Sequence, residues 1–585
     1  YLAFLNAWGS SLGTNELLTL DGSAPEYIYV NGAILSDYGK TLYSVDESAV
    51  GTLILPDYVE KIAADSIRNE NIDSIIFGKN FKEIENGAIN TDNIKRLFFL
   101  GDTAAIESDS ITAPSDGEDD VQVFVQSGVK NTFTSEWSAV MGDRADKIIS
   151  ADNMEFETKD GFTYLKTDGG AILFEAPKDI TIFNIGSIQG VTFKEIGSNA
   201  FKGCKNLRFA DLTASIKRIG KYAFRDCDSL EGVNSLSRDE ITVDKWVFTQ
   251  YNGFNNTLRY VVFNALYGYI DEEFQNINRE IFFAPYNTYG YGDNFSNNNY
   301  ILYYTDYHAG GYRIDHLDGD ERIVYGYQTD SGFVVCSATK GIKGTITFPD
   351  ETVMIHDYAF SECKNKFELK NYESITFISS MAFAESGLSG EYNFESLIWA
   401  FDGAFSYCEN LTKVELPSLQ TLQAMTFSGC TNLKEVVFGE ELAMINSGSF
   451  NNCTSLKSMT LTTKTDEETG ENTLVDLYNT NWFSPFEFGT GVNADSGLRI
   501  HIVGSATPQD YIEAWKNQFV DFFDPSSEEA AQIELEKLFG VYKEQSQTEQ
   551  QTQNTDGEKV EGQEAADDDK NNDETNSENT NREEK

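Results

Sequence analysis

The 585 residues carry 94 acidic and 44 basic side chains, so the formal charge is −50. A surface this acidic cannot neutralise phosphates, which excludes nucleic acid as a partner class, and anionic membranes repel it. Because 40% of the residues are hydrophobic and 13% aromatic, the chain can bury cores in about three to five compact units. It has no run of about 18 apolar residues, so we predict no direct membrane insertion of this segment.

The first 26 residues differ in pattern from those that follow. Residues 1–5 are apolar, but they lack the basic start and full apolar length of a signal peptide, and the chain opens without Met. Phe4 and Trp8 are four residues apart, and aromatic pairs with the same spacing stand at the ends of two later segments. We therefore interpret residues 1–26 as the remnant of a preceding module and a linker, in a piece of a longer chain.

A repeat of 22 or 23 residues organises most of the chain. Weak copies with pairs of Ile precede strong copies of the pattern Ile-x3-Ala-Phe-x2-Cys-x2-Leu-x2-Val-x-Leu. The weak pairs are Ile62/Ile67, Ile84/Ile89 and Ile106/Ile111, and the strong copies contain Phe201, Phe224, Phe360, Phe383, Phe405, Phe427 and Phe450. One coil cannot bury its own apolar edge, so the repeat predicts a β-rich solenoid of stacked coils.

Each coil is predicted to supply one short strand. After the Cys, segments such as Leu411-Thr-Lys-Val-Glu-Leu416 alternate apolar and polar residues, as a strand with one buried face does. The Ile-to-Phe stretch has apolar residues five apart, as in Ile219 and Phe224, which favours an irregular or 3₁₀-like return.

These residues resemble the BspA-like leucine-rich repeats, a bacterial and protist surface family with the consensus Ile-x2-Ile-x3-Ala-Phe-x2-Cys-x2-Leu-x2-Val-x-Leu-Pro. In this chain Cys stands at the ladder position where better-known leucine-rich repeats carry Asn. The resemblance implies a solenoid of short-coil leucine-rich repeats. It also implies a cell-surface or secreted interaction protein, since the family is associated with adhesion to host matrix proteins and with contacts between microbes.

A longer repetition divides the solenoid into three successive modules. Residues 31–35 (Asn-Gly-Ala-Ile-Leu), 169–173 (Gly-Gly-Ala-Ile-Leu) and 331–335 (Ser-Gly-Phe-Val-Val) look like one opening hairpin. The predicted boundaries are residues 27–150 for module 1, 151–321 for module 2, which has Tyr/Asn-rich irregular coils, and 322–524 for module 3.

Distinct sequence patterns mark the ends of the modules and the C-terminal tail. Phe133 with Trp137, and Tyr511 with Trp515, are four residues apart, so each pair predicts a helix that closes a last coil. Residues 525–585 are predicted to form a short helix and then an acidic disordered spacer, because Leu, Ile, Phe and Trp disappear after Tyr542. Residues 541–585 hold 14 acidic and 5 basic side chains, which leaves most of the −50 charge on the solenoid.

Six of the seven cysteines share one repeat position. This structural ladder consists of Cys204, Cys227, Cys363, Cys408, Cys430 and Cys453. The chain has no C-x2-C pair and no His at ligand spacing, so no metal site is predicted. Stacked coils would place equivalent Cα atoms about 4.7–4.9 Å apart, which a disulfide tolerates. Buried free thiols are favoured over bridges because Ser386 also fills the position.

No constellation of residues indicates catalysis. The histidines are scattered, and His356 is expected to be solvated at a polar repeat position; the others are His308, His316 and His501. Gly290-Tyr-Gly292 lacks the Lys-Ser/Thr of a phosphate loop. We therefore predict no enzymatic activity and no cofactor.

Two acidic loops could offer oxygen ligands to calcium. They lie at residues 116–120 and 315–321, and neither has the 12-residue spacing of an EF-hand. A solvated loop between coils or modules is the favoured interpretation.

Tyrosines are concentrated between residues 251 and 327, where 14 of the 29 lie. Tyrosine offers a rigid amphipathic contact area and the interleaved Asn offers adaptable hydrogen bonds, a mixture that suits protein or sugar ligands. The candidate ligand-binding residues are Tyr286, Tyr289, Tyr291, Tyr300, Tyr303, Tyr304 and Tyr307. The favoured alternative is that these tyrosines replace Phe and Leu in the cores of degenerate coils.

The predicted strands offer a second candidate surface. If Leu411, Val414 and Leu416 point inward, the residues between them point outward, and stacking aligns them with their equivalents in the next coils. The candidate binding residues on this face are Lys413, Glu415, Glu435, Val437, Ser458 and Thr460. An extended sheet of variable side chains is the usual binding face of a solenoid.

Repeated scaffolding, a large surface and the lack of a catalytic constellation favour a non-catalytic extracellular binding module. We expect it to be adhesin-like and to attach a microbial cell to a protein or glycan. Two alternatives stay open: a structural cell-envelope spacer, or the non-catalytic targeting part of a larger enzyme. The expected location is extracellular or at the cell surface, as a monomer anchored by a segment not present in this chain.

Overall fold

The computed structural model describes residues 17–18 and 27–543 with gaps, of which the longest are 112–120, 142–147, 249–256, 271–280, 290–300, 303–311 and 479–493. Over these residues the chain is a β-solenoid with little helix, which confirms the predicted fold class. The strands form three units. Each unit has a sheet A, which holds the opening antiparallel strands and one short parallel strand per coil, and a sheet B on the other side of the coils.

Unit 1 contains sheets A1 and B1. Its elements are β1 (Leu17–Leu18), β2 (Tyr27–Val30), β3 (Ala33–Ser36), β4 (Thr41–Val45), β5 (Gly51–Ile54), β6 (Lys61–Ile62), β7 (Ile72–Phe77), β8 (Glu83–Ile84), β9 (Arg96–Phe99), β10 (Ala105–Ile106), β11 (Gln122–Val125), α1 (Lys130–Met141) and β12 (Ile148–Ser150), with 3₁₀ turns at Asp37–Gly39 and Ser127–Val129. The order is β1-β2-β3-β4-β6-β8-β10 in A1 and β12-β11-β9-β7-β5 in B1.

Unit 2 contains sheets A2 and B2. Its strands are β13 (Glu155–Lys159), β14 (Phe162–Thr167), β15 (Gly170–Glu175), β16 (Ile182–Phe183), β17 (Phe193–Ile196), β18 (Phe209–Leu212), β19 (Arg218–Ile219), β20 (Gly232–Ser235), β21 (Ile241–Val243), β22 (Tyr260–Phe263), β23 (Gly268–Ile270), β24 (Ile281–Phe283), β25 (Thr288–Tyr289) and β26 (Ile301–Leu302). The order is β13-β14-β15-β17-β19-β21-β23-β25 in A2 and β16-β18-β20-β22-β24-β26 in B2.

Unit 3 contains sheets A3 and B3. Its elements are β27 (Tyr312–His316), β28 (Arg322–Gln328), β29 (Gly332–Ala338), β30 (Gly344–Thr347), β31 (Thr352–Ile355), β32 (Phe367–Lys370), β33 (Phe377–Ile378), β34 (Gly390–Asn393), β35 (Trp399–Ala400), β36 (Leu411–Leu416), β37 (Thr421–Leu422), β38 (Glu435–Phe438), β39 (Met444–Asn446), β40 (Ser458–Thr463), β41 (Asp476–Tyr478), β42 (Arg499–Gly504), α2 (Pro508–Phe523) and α3 (Glu528–Leu538). A3 has the order β27-β28-β29-β31-β33-β35-β37-β39-β41, and B3 the order β34-β36-β38-β40-β42, with β30-β32 as a separate pair.

Each complete coil contributes two strands, so the prediction of one strand per coil is wrong. The repeat Ile lies in a two-residue strand of sheet A: Ile219 pairs in parallel with Ile196 one coil below. The weak repeats pair in the same way, since Ile62 faces Ile84 and Ile67 bridges to Ile89. The constant step of 22 or 23 residues brings the backbone of the return arm into hydrogen-bonding register with the coil below.

The core is a column of aromatic rings with thiols beside it. In unit 3, Phe360 stacks on Phe383 at 5.0 Å, and Phe405 stacks on Phe427 at 5.2 Å between ring centroids. The Cys430 thiol donates a hydrogen bond to the carbonyl of Phe405 at 3.0 Å. Burying one such side chain contributes about 1.5–3 kcal/mol. The repeated Phe and Cys therefore join each coil to the one before it.

The glycine of the opening hairpin is required by its backbone. Gly170 and Gly332 have φ values of +121° and +104°, where side chains are disfavoured. A Cβ atom at Gly332 would lie 2.1 Å from the carbonyl oxygen of Glu351. This requirement explains why the sequence repeats Gly at each opening. The predicted module boundaries themselves stay a proposal; the third group of strands begins at Tyr312.

The predicted closing helices are confirmed. Helix α1 buries Phe133 and Trp137 completely, and helix α2 buries Tyr511 and Trp515 to within 1%. The two indole N–H groups donate to backbone carbonyls of the coils beneath, at 3.0 and 2.8 Å. Among the described helices, none combines the length and the apolar composition of a transmembrane segment. The predicted signals at Phe4 and Trp8 and the predicted spacer after Lys543 lie outside the described residues.

Candidate binding surfaces

Sheet B3 carries the strand-face residues in two parallel rows. Lys413, Glu435 and Ser458 are paired neighbours along one row. Glu415, Val437 and Thr460 are neighbours along the other. The coil step thus places the six predicted residues on one sheet; their role in binding stays a prediction.

Two carboxylates share one lysine at the centre of this face. The Lys413 Nζ atom lies 2.8 Å from Glu415 and 3.1 Å from Glu435. Hydrogen bonds to Glu415 and then to Glu435 raise the pKa of the Lys413 ammonium above its usual range. The rows continue to Arg499 and His501 on β42, both of them exposed. The face therefore combines charge, hydroxyls and one imidazole, which suits a polar ligand.

The equivalent face of unit 1 is buried. The outward residues Ile76 and Phe98 of sheet B1 are each 1% exposed. They pack in one cluster with Leu165 and Phe174 from the opening strands of unit 2 and with Met154, which precedes them. Sheet B1 is therefore a junction between units and presents no free strand face at these residues.

The outward face of sheet B2 in unit 2 is buried in the same way. Phe209 and Val262 on the outward side of sheet B2 are fully buried. They cluster with Val324, Val334 and Cys336 from the opening strands of unit 3. The outward residues of sheet B3, such as Val437, are instead half-buried or exposed. The sequence shows this difference in part: Leu97-Phe98-Phe99 is apolar at every position, as in a strand buried on both faces, whereas Ser458–Thr463 of sheet B3 alternates polar and apolar residues.

A buried charge cluster joins units 1 and 2. The Arg96 guanidinium donates to both oxygens of Glu195 at 2.8 and 2.7 Å, and Arg218 lies 2.7 Å from the same carboxylate. Burial alone would raise the pKa of Glu195, but the charges of Arg96 and Arg218 outweigh it and hold the pKa below its ordinary value. Arg218 also pairs with Asp244. Glu195 and Asp244 therefore each have a cationic partner.

A second charge cluster joins units 2 and 3. Arg322, whose side chain is 3% exposed, binds both oxygens of Asp211 at 2.8 and 2.9 Å and donates to the Tyr260 hydroxyl at 2.9 Å. Arg208 bridges Glu231 at 2.7 Å and Glu321 at 3.0 Å. Apolar contacts and ion pairs therefore both join the units.

Glu321 shows that the solvated-loop interpretation of residues 315–321 is only partly correct. Asp318 and Asp320 are exposed, as expected. Glu321 is 7% exposed and accepts from Thr339 at 2.6 Å, because it belongs to the junction between units 2 and 3. The other acidic loop, at residues 116–120, lies outside the described residues. Within the described part of the chain no group of three or more His, Cys, Asp or Glu side chains could hold a metal ion.

The expectation for His356 is wrong. Its side chain is 6% exposed. Burial lowers the pKa of the imidazole below its ordinary value of 6.5. The polar repeat position misled the prediction because His356 follows β31, which lies beside the junction between units 2 and 3.

All seven cysteines are buried free thiols. Burial raises the pKa of Cys408 and of Cys453 to about 12. A thiol with such a pKa is a poor nucleophile and a poor metal ligand at neutral pH. The ladder cysteines therefore act in packing.

The tyrosine cluster lies almost wholly outside the described residues. Of the seven candidates, Tyr289 has a described backbone, in β25, where it pairs with Tyr269 of β23. Its binding role and the alternative core role both stay predictions.

An aromatic patch on sheet A3 was not predicted. Phe377 and Phe401 are each 37% exposed, and the rings of Trp399 and Phe401 are 6.2 Å apart with 23° between their planes. Register places Phe377 beside Trp399 on the outer side of the sheet. The signal was the Trp-x-Phe spacing of Trp399 and Phe401, in and just after a short strand that the prediction of one strand per coil did not include.

Comparison with solved structures gives similarities at low sequence identity. The pneumococcal vaccine antigen PcpA is 13% identical, with 86% of this chain and 97% of that chain covered and a TM-score of 0.31. A leucine-rich repeat protein from Eubacterium ventriosum is 16% identical over 53% of this chain and 86% of its own, with a TM-score of 0.27. A leucine-rich cell surface protein from Faecalibacterium prausnitzii is 16% identical over 62% and 98%, with a TM-score of 0.24.

Comparison with protein families gives a specific result. The model of the BspA-type leucine-rich repeat region matches in six copies, at residues 43–113, 174–299, 336–457 and 401–481. These matches span more than half of the chain. No curated protein matches it.

Proposed function

Because the chain belongs to the BspA-type leucine-rich repeat family, we propose that it is a non-catalytic, adhesin-like binding module that attaches a microbial cell to an extracellular protein or glycan through sheet B3. Its place is the outside of the cell, and it acts as a monomer. Family members of this kind serve as scaffolds for binding, and the described residues offer a scaffold of that shape.

The contrast between the three B sheets supports this proposal. Sheets B1 and B2 turn apolar residues outward, and those residues are covered by the next unit. Sheet B3 turns Lys413, Glu415, Glu435 and Thr460 outward, and these side chains are accessible to solvent. A strand face with polar residues that no other described unit covers suits contact with water or a polar ligand.

The test is a binding screen of the whole chain on immobilised matrix proteins and glycans. A double variant, Lys413→Glu with Thr460→Arg, reverses the central charge and adds bulk on β40 without touching the core. We expect it to weaken binding at least about tenfold, as loss of a charged contact does. The variant Phe401→Ser, on the aromatic patch of sheet A3, is the matched control. Binding that survives the double variant, or that is lost with Phe401→Ser alone, would place the ligand elsewhere.

A structural spacer of the cell envelope is the second candidate, and the buried junctions favour it. Arg96 with Glu195, and Arg322 with Asp211, fasten the units to each other. A stiff rod is what a spacer needs. If the screen finds no ligand and the chain instead self-associates with increasing concentration, this second function is supported.

A further inference from the structure

A cleft of about 230 Å³ opens at the junction between units 1 and 2. Thr52 and Ile54 of β5 form one side, and Phe174 at the end of β15 and Asn199 in the turn after β17 form the other. Lys202 also lines it. The cleft is thus assembled from two units, apart from sheet B3 and independent of the function proposed for that sheet.

Two residues that line the cleft each hold a buried polar atom without a hydrogen-bond partner among the described residues. The Asn199 amide donates to the carbonyl of Val50 at 2.6 Å, which fixes its orientation and leaves the Oδ1 atom buried without a hydrogen bond. The Thr52 hydroxyl is likewise buried and unsatisfied. Buried polar atoms of this kind are uncommon, because each costs the free energy of its lost hydration. Asn199 Oδ1 can only accept, so a ligand that reaches it must bring a hydroxyl or N–H donor.

Two lysines, Lys178 and Lys202, and one carboxylate, Glu175, line the cleft, so its charge is locally positive on an acidic protein. The Lys202 ammonium has no hydrogen bond or ion pair to another described side chain, while Lys178 donates to the Lys202 carbonyl at 2.9 Å and lies 3.3 Å from Glu175. Burial, then the nearby charge of Arg225, lowers the pKa of Lys202, and the carboxylate of Asp226 opposes this shift only in part. An anion beside Lys202 would relieve this repulsion. The ligand that fits therefore carries a negative charge at the Lys202 end.

The volume of the cleft and its apolar wall restrict the class of ligand further. The volume lies below the range of about 300–1,000 Å³ typical of drug-sized ligands, so the cleft suits a single sugar ring or a molecule of that size. Ile54 and Phe174 supply an apolar wall for the carbon face of such a ring. We propose that this cleft binds an acidic monosaccharide unit, with its carboxylate at Lys202 and its hydroxyls at Thr52 and Asn199.

The experiment titrates the whole chain with sodium glucuronate and, separately, with glucose, by calorimetry or saturation-transfer NMR. We expect saturable binding of glucuronate and at least about tenfold weaker binding of glucose, since glucose lacks the charge that pairs with Lys202. Equal binding of the two sugars would overturn the assignment of a carboxylate site. So would the absence of saturation at about 10 mM glucuronate, well above a dissociation constant of about 1 mM.

Variants locate the site. Lys202→Gln should weaken glucuronate binding at least about tenfold, and Thr52→Val, which keeps the shape and removes the hydroxyl, about two- to tenfold. Lys205→Gln is the matched control, because Lys205 is 71% exposed, pairs with Asp228 and lies outside the cleft. Thermal unfolding of each variant checks that the junction is intact. Binding that Lys202→Gln leaves unchanged, or that Lys205→Gln reduces equally, would overturn the proposal.

Discussion

Removing the guanidinium of Arg322 should loosen the junction between units 2 and 3. The variant Arg322→Met keeps most of the side-chain volume and the contact with the Phe209 ring, which lies 3.9 Å from the guanidinium carbon. It removes both hydrogen bonds to Asp211 and the one to the Tyr260 hydroxyl. The carboxylate of Asp211 then stays at the junction without its partner.

The magnitude follows from the burial of the two charges. Breaking a buried ion pair by removing one partner costs about 3–5 kcal/mol. Because the Asp211 side chain is 22% exposed and can regain some water, we expect about 2–4 kcal/mol for Arg322→Met. The control is Arg313→Met in the same opening hairpin: Arg313 pairs with Asp315 at 2.6 Å but is 51% exposed, so its loss should cost about 0–1 kcal/mol.

Hydrogen exchange measured by mass spectrometry compares the stability lost in the two variants strand by strand. Peptides that cover β22 and β28 lie on the two sides of the junction, and their opening free energies should fall by about 2–4 kcal/mol in Arg322→Met. Peptides that cover β7 and β9, in unit 1, should keep their protection. A loss at the junction no larger than that of Arg313→Met would refute the view that the buried pair holds the units together.

Three further predictions concern the cysteines, the opening-hairpin glycine Gly332 and the buried His356. The seven cysteines should not react with a thiol reagent until the chain unfolds, since all are buried and burial raises the pKa of Cys408 to about 12; rapid labelling of the native chain would contradict this. Gly332→Ala should lower the free energy of unfolding by more than about 1 kcal/mol in urea titrations, because its φ is positive and a Cβ would meet the Glu351 carbonyl; Gly319→Ala, in an open turn, should cost less. Finally, burial lowers the pKa of His356 in the folded state, so its contribution to stability is complete above pH 6.5 and is lost as the pH falls below that value. The variant His356→Gln should flatten this part of the pH profile, and an unchanged slope would argue against a buried neutral imidazole.

The solenoid was predictable because its signal is periodic. The step of 22 or 23 residues, which Ile62 and Ile84 share with Phe405 and Phe427, fixes which residues stack, and the structure pairs them accordingly. The second strand of each coil was not predictable from alternation, because two residues such as Arg218–Ile219 are too short to show a period. Hydrogen bonding between equivalent positions of neighbouring coils creates that strand.

The candidate surfaces were predictable only where the length of the repeat determines which residues lie side by side. The rows of sheet B3 follow from the repeat alone, so Lys413 and Glu435 were placed together correctly. The covering of sheets B1 and B2 depends on contacts between residues far apart in sequence, such as Phe98 with Phe174. The cleft was not predictable for the same reason: Thr52 and Asn199 lie together only when units 1 and 2 pack against each other.

Hydroxyl-radical footprinting of the whole chain tests most directly whether sheets B1 and B2 are covered while sheet B3 is free. Oxidation rates of side chains report their contact with water in the native molecule. We predict rapid oxidation at His501 and measurable oxidation at Val437, and protection at Phe98 and Tyr260, whose rings are 1% exposed. Oxidation of Phe98 and Tyr260 at rates like that of His501 would contradict the covered junctions and, with them, the assignment of sheet B3 as the free binding face.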